Sequence, residues 1–129
     1  ATEAARQVLP AAVPHADAAR NAARSALLVA ALTQHEKEQD AGVLLDATLD
    51  FLHQPYRASS MPATAELVGA LRSAGIPAVV SGAGPAALAL VVRDATAAPD
   101  AVAAIAAESA QEWDVRVLDV DRDGAVVVS

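Results

Sequence analysis

The sequence predicts an α+β domain: helices packed on a small, mostly antiparallel, four-stranded sheet. Three observations predict it. The first half carries apolar residues at helical spacing, in residues 17–35 and 42–53. After Gly75 the period shortens to two apolar runs flanking Gly82-Ala83-Gly84-Pro85. The chain then closes on an alternating run, residues 114–120, and a second apolar run, 125–128, joined by Asp121-Arg122-Asp123-Gly124.

Each element has a local reason. Residues 2–8 read as a short helix with Thr2 as N-cap, closed by Leu9-Pro10. Pro10 and Pro14 make 11–15 a connector. In 17–35, Ala19, Ala22, Ala23, Ala26, Leu27, Ala30 and Ala31 recur on one helical face. Residues 36–40 form a charged break. In 42–53, Leu44, Leu45, Leu49 and Leu52 share a face, and Pro55 ends the helix. Residues 56–61 are a loop. Pro62 occupies the first position of a helix over 63–74, with Gly75 just past its end. Strands are expected over 78–81 and 88–92, and a helix over 101–111 capped by Thr96 or Asp100.

A chain of 129 residues fits one domain with a real core. The apolar fraction is 54%, high enough to exclude a wholly disordered chain. Ala and Val dominate it, which favours close backbone packing over large transfer energies. The net charge of −7 argues against a nucleic-acid surface and against docking on an anionic membrane. Lys37 is the one lysine, so an anion site here is an arginine site, planar and bidentate. With no cysteine there is neither disulfide nor thiolate zinc site. No stretch reads as a signal peptide or membrane span: the apolar run 22–32 is short and contains Arg24. The chain opens without Met, on residues that read as the end of a turn, and so as a start in mid-protein.

Three segments carry candidate chemistry. Ser81-Gly82-Ala83-Gly84-Pro85 sits between two strands, and its glycines permit close approach of a backbone or a phosphate. It reads equally as a plain hairpin turn. His53-Gln54-Pro55-Tyr56-Arg57 delivers Arg57 beyond a helix end, where a guanidinium grips a carboxylate through two parallel hydrogen bonds. A solvated surface arginine fits the same residues. Thr2 and Arg6 lie four apart, on one face of a helical turn, as a small-anion pair or as an N-cap and a surface arginine. His15, His35 and His53 have no ligand spacing, and Asp119, Asp121, Asp123 and Gly124 lack the length and terminal Glu of a calcium loop, so no metal site is expected.

Together these segments resemble the homoserine kinases of the GHMP kinase superfamily. Gly82-Ala83-Gly84-Pro85 is similar to that superfamily's Gly-x-Gly-Pro motif ahead of an apolar strand. Thr2, Ala5, Arg6, Leu9 and Pro10 match the Thr-x-x-Ala-Arg-x-x-Leu-Pro segment of homoserine kinases, and Pro55, Tyr56 and Arg57 match their Pro-Tyr-Arg. The resemblance implies the C-terminal, ferredoxin-like domain of such an enzyme over residues 1–129, and a cytoplasmic one. It implies that Arg6 and Arg57 grip the α-carboxylate of L-homoserine and that Thr2 adds a hydrogen bond. Gly82, Gly84 and Pro85 would pack beneath a phosphate-binding loop, with Ser81 bonding locally. Ala83 and Ala86 depart from the Ser or Thr common there, which leaves the loop backbone and packing roles.

The Pro-x-x-x-Gly-Leu-Gly-Ser-Ser-Ala segment with which GHMP kinases hold ATP has no counterpart here. The resemblance therefore places ATP, Mg²⁺ and the catalytic residues in an N-terminal domain outside this chain, and implies that the chain alone does not turn over. An apolar face left open where that domain would pack favours a homodimer. Two alternatives stand beside this reading: another GHMP small-molecule kinase, such as a mevalonate-type one, and a free-standing amino-acid-binding regulatory module.

Overall fold

The computed structural model describes residues 6–33, 40–92, 97–120, 124 and 127 of the chain. Arg6 and Gln7 are helical, and Leu9 N–H donates to Arg6 O at 3.1 Å. Thr2 lies outside the described residues, as do the expected breaks and turns at 34–39 and 121–123.

Helix α1 spans His15–Thr33 and lies against α2, Ala41–Ala47. Asp40 caps α2, its carboxylate accepting the Gly42 N–H at 2.7 Å. Arg24 pairs with Asp46 across the two helices, and Asn21 Oδ1 accepts the Phe51 N–H at 2.9 Å. Most of the alanine face expected to be core on α1 is exposed, and none of its residues is fully buried.

The helix expected to run from 42 to 53 stops at Ala47, with Thr48 as its C-cap. Pro55 does not end a helix. It stands in the first turn of a new one, α3 (Gln54–Arg57), followed by a 3₁₀ turn at Ala58–Ser60. The expected loop over 56–61 is therefore mostly helical. The reason lies in Asp50. Its Oδ1 accepts the N–H of Leu52 at 2.8 Å and of His53 at 3.0 Å, and its Oδ2 accepts that of Gln54 at 2.9 Å. Donors that would be orphaned at a helix start are thus satisfied, and proline, which has none, costs nothing there.

Helix α4, Pro62–Ser73, follows the expectation closely. It buries Thr64, Leu67, Val68 and Leu71, one helical face. Gly75 turns it off at φ +81°, with Gly75 N–H on Arg72 O and Ile76 N–H on Leu71 O, both at 3.0 Å. Ile76 and Ala78 continue the same core. Helix α5, Ala98–Ala107, starts three residues earlier than expected, because Pro99 suits the first turn. Its N-cap position is Ala97, which gives no side-chain cap. Asp100 lies in the first turn instead, and Thr96 lies outside the described residues. Ala106 brings α5 onto the core that α4 builds.

Strands β1, Ala78–Val80, and β2, Ala87–Ala89, pair antiparallel with Val79 opposite Leu88. Ser81 N–H donates to Ala86 O and Leu90 N–H to Pro77 O, both at 2.8 Å. In that register residues 78 and 80 of β1, and 87 and 89 of β2, turn their N–H and C=O groups to the outer edges. Two of the four outer groups of β1 are taken by side chains: Gln54 Oε1 accepts the Val80 N–H at 2.8 Å, and Arg72 donates to Ala78 O at 3.1 Å.

The sheet differs from the four-stranded expectation. Among the described residues it has two strands. Residues 114–120 keep their alternating sequence but join no ladder, and Val117, Leu118 and Val120 are 77%, 80% and 86% exposed. An alternating segment becomes a strand only when it lies against a neighbour, and among the described residues it pairs with none. Most of the expected returning strand, 125–128, lies outside the described residues.

Candidate functional site

The glycine loop links β1 to β2. Gly82 and Gly84 hold φ of +59° and +76°, the left-handed region that other residues rarely enter. Gly84 N–H donates to Ser81 O at 3.0 Å, closing a tight turn, and the Gly84–Pro85 peptide is cis. Ser81 thus bonds within the loop through its backbone. Gly84 also needs its missing side chain: a Cβ there would lie 2.7 Å from Met61 Sδ and 3.2 Å from Val80 Cγ1. Thr64, buried on α4, donates its hydroxyl to Pro85 O at 2.7 Å. Both ends of the loop are therefore anchored.

Arg57 is the last residue of α3 and is half-buried. Its N–H donates to His53 O at 3.1 Å, and its carbonyl accepts the Ser60 hydroxyl at 2.7 Å. The turn that carries it is fixed at both ends. Asp50 caps the start. Burial pushes the Asp50 carboxyl up, but the N–H groups of Leu52, Gln54 and His53, with the nearby His53 imidazole, outweigh it and hold it below the ordinary aspartate range. From the first position of α3, Gln54 reaches the backbone of β1. The Arg57 turn and the glycine loop thus meet through Gln54 and Val80, and again through Met61 and Gly84.

Behind this junction lies Arg72. Its guanidinium donates to Thr48 Oγ1 at 2.8 Å, to Ala78 O at 3.1 Å and to Leu45 O. Burial pushes its pKa down. It remains a cation, and the acceptors are groups that suit one: Leu45 O lies in the last turn of α2, at the negative end of the helix dipole.

Of the residues the sequence singled out, Ser81, Gly82, Gly84 and Pro85 share one loop, and the turn that ends in Arg57 is tied to it through its neighbours Gln54 and Met61. Arg6 is exposed on its own turn, and among the described residues its side chain makes no hydrogen bond or ion pair. The sequence reading passed over Asp50, Gln54, Met61, Thr64 and Arg72. Asp50 had a local signal, an aspartate just ahead of a proline turn. The others act mostly over 21 residues or more, or through the vacancy at a glycine, and carry none.

The glycine loop is thus anchored beside an arginine-bearing turn, and the chain belongs to the GHMP kinase C-terminal family, whose pattern matches residues 27–111 under the description "GHMP kinases C terminal". Within that class it is 50% identical over 127 residues to a homoserine kinase from Streptomyces avermitilis, which is 98% of this chain and 38% of that protein. A homoserine kinase from Streptomyces coelicolor gives the same figures. One from Leifsonia xyli subsp. xyli is 48% identical over 126 residues, 98% of this chain and 37% of its own length. The chain thus spans well under half the length of these relatives. Among the described residues no helix is long and apolar enough to cross a membrane.

Proposed function

We propose that this chain is the C-terminal, substrate-binding part of a homoserine kinase, an enzyme that transfers the γ-phosphate of Mg-ATP to the side-chain hydroxyl of L-homoserine on the way to threonine. The observation that carries this reading is the 50% identity to proteins named homoserine kinase over 98% of the chain. In this reading the Arg57 guanidinium grips the α-carboxylate, with Arg6 and Thr2 completing the grip when the rest of the enzyme is in place. The loop from Ser81 to Pro85 supports the phosphate-binding loop by packing of its backbone. Nucleotide, Mg²⁺ and the reacting groups are held by an N-terminal domain that this chain does not include, and the enzyme is cytoplasmic. The chain contributes position, which is most of what phosphoryl transfer asks of a protein.

The test is a chimera in which this chain replaces the matching segment of the Streptomyces avermitilis enzyme. It should phosphorylate homoserine and ignore mevalonate, whereas the 129-residue chain alone should show no turnover with ATP. Arg57→Ala in the chimera should raise the KM for homoserine about 30-fold, the loss of a charged hydrogen-bonding partner, and leave the KM for ATP in place. A folded chimera without activity on homoserine, or an Arg57→Ala variant with unchanged KM, overturns the reading.

A further inference from the structure

Gln54 is a polar side chain with one structural task visible, and that task joins the two halves of the candidate site. It begins the helical turn that ends in Arg57, and its Oε1 accepts the N–H of Val80, the last residue before the glycine loop, at 2.8 Å. The bond spans 26 residues of sequence and is partly buried. That N–H points away from β2, so without Gln54 the edge of β1 offers it no backbone acceptor. Gln54 is itself held, since its own N–H lies on Asp50 Oδ2 at 2.9 Å.

A chain of two hydrogen bonds therefore runs from Asp50 through Gln54 to Val80. It fixes the turn against the strand on a side where there are few other ties. Met61 fills the second contact, packed into the space that Gly84 leaves. A thioether packs without direction, so it resists separation but does not set register. The hydrogen bond does set it.

We propose that Gln54 is a positioning residue, which by accepting the Val80 N–H holds the Arg57 turn at a fixed place over the glycine loop. The inference rests on the proposed role of Arg57 in gripping homoserine. Its consequence is that the acceptor on residue 54, and not the bulk of its side chain, tunes the affinity for the amino-acid substrate.

The experiment uses Gln54→Leu, which keeps size and removes the acceptor, and Gln54→Glu, which restores an acceptor. In the chimera, Gln54→Leu should raise the KM for homoserine about tenfold, because the loosened turn must be ordered again on binding. The KM for ATP should stay near that of the parent, the melting temperature should fall by about a few degrees for the unsatisfied N–H, and Gln54→Glu should return the KM for homoserine to within about threefold. A homoserine KM that does not move, a melting temperature that collapses while both KM values rise together, or a Gln54→Glu variant as poor as Gln54→Leu, would each overturn it. Amide NMR spectra of the 129-residue chain separate this inference from the substrate assignment. Gln54→Leu should shift the Val80, Gly82 and Gly84 signals and Gln54→Glu should restore them. Unshifted signals refute the coupling whatever the kinetics give. Shifted signals beside an Arg57→Ala variant with normal homoserine KM refute the assignment to Arg57 and leave the coupling standing.

Discussion

Gly84 occupies a backbone conformation and a space that both exclude a side chain. Gly82 shares the conformation, but nothing lies within 4 Å of where its Cβ would stand. The two glycines therefore separate strain from crowding. Gly82→Ala should cost about 1–2 kcal/mol, the left-handed penalty alone. Gly84→Ala should cost about 2–4 kcal/mol, because Val80 is β-branched and cannot swing aside, although the tip of Met61 can. Urea denaturation of the two variants checks the order. Asp50 gives a prediction of a different kind. Its carboxyl titrates below the ordinary range in the folded chain, so the unfolded chain binds the proton more readily. Its contribution to stability is present above about pH 4 and fades as pH falls through the folded value. The stability gap between the parent and Asp50→Asn should shrink as the pH drops below about 4, measured by denaturant midpoints from neutral to acid. A gap that stays constant would remove the carboxylate from the account.

Among the elements, α4 was legible in the sequence almost to the residue, because the signals that bound it are local: Pro62 at the start and Gly75 past the end. The turn α3 was not. A proline reads as a stop after a helix and as a start within a first turn, and only the Asp50 carboxylate decides between the two. The site divides the same way. The glycine loop and Arg57 carried their own pattern, whereas Gln54 and Arg72 became visible only when strand and helix were side by side. Arg72 sets the elements α2, α4 and β1 against one another through three acceptors. Arg72→Ala should destabilise the chain by about 2–3 kcal/mol, since partly buried carbonyls lose a charged donor. Arg72→Lys should recover only part of that, as an ammonium cannot reach acceptors spread across a planar fork. Thermal melts of both variants provide the measurement.

At the scale of the whole molecule, what is absent from the sheet matters as much as what forms it. The alternation in 114–120 announced a strand, and the chain left it exposed. Pattern fixes which face a strand would bury, while pairing requires a neighbour that sequence order does not reveal. The apolar surface left open on α1 and along 114–120 has the character of surface that a larger assembly covers, in keeping with a chain that spans 38% of its Streptomyces relatives. Amide exchange should map the same asymmetry. Val80 and Ser81, whose N–H groups are taken, should exchange slowly, and Ala87 and Ala89, whose N–H groups turn outward from β2, should exchange many times faster.

That asymmetry gives the sheet a direction. Gln54 and Arg72 occupy the outer donor of Val80 and the outer acceptor of Ala78, so the β1 border is already partly engaged. Among the described residues Ala87–Ala89 is the more open edge for a newcomer strand, since small side chains leave its backbone approachable. A strand added along β2 would leave the arginine-bearing turn on the far margin, clear of the seam.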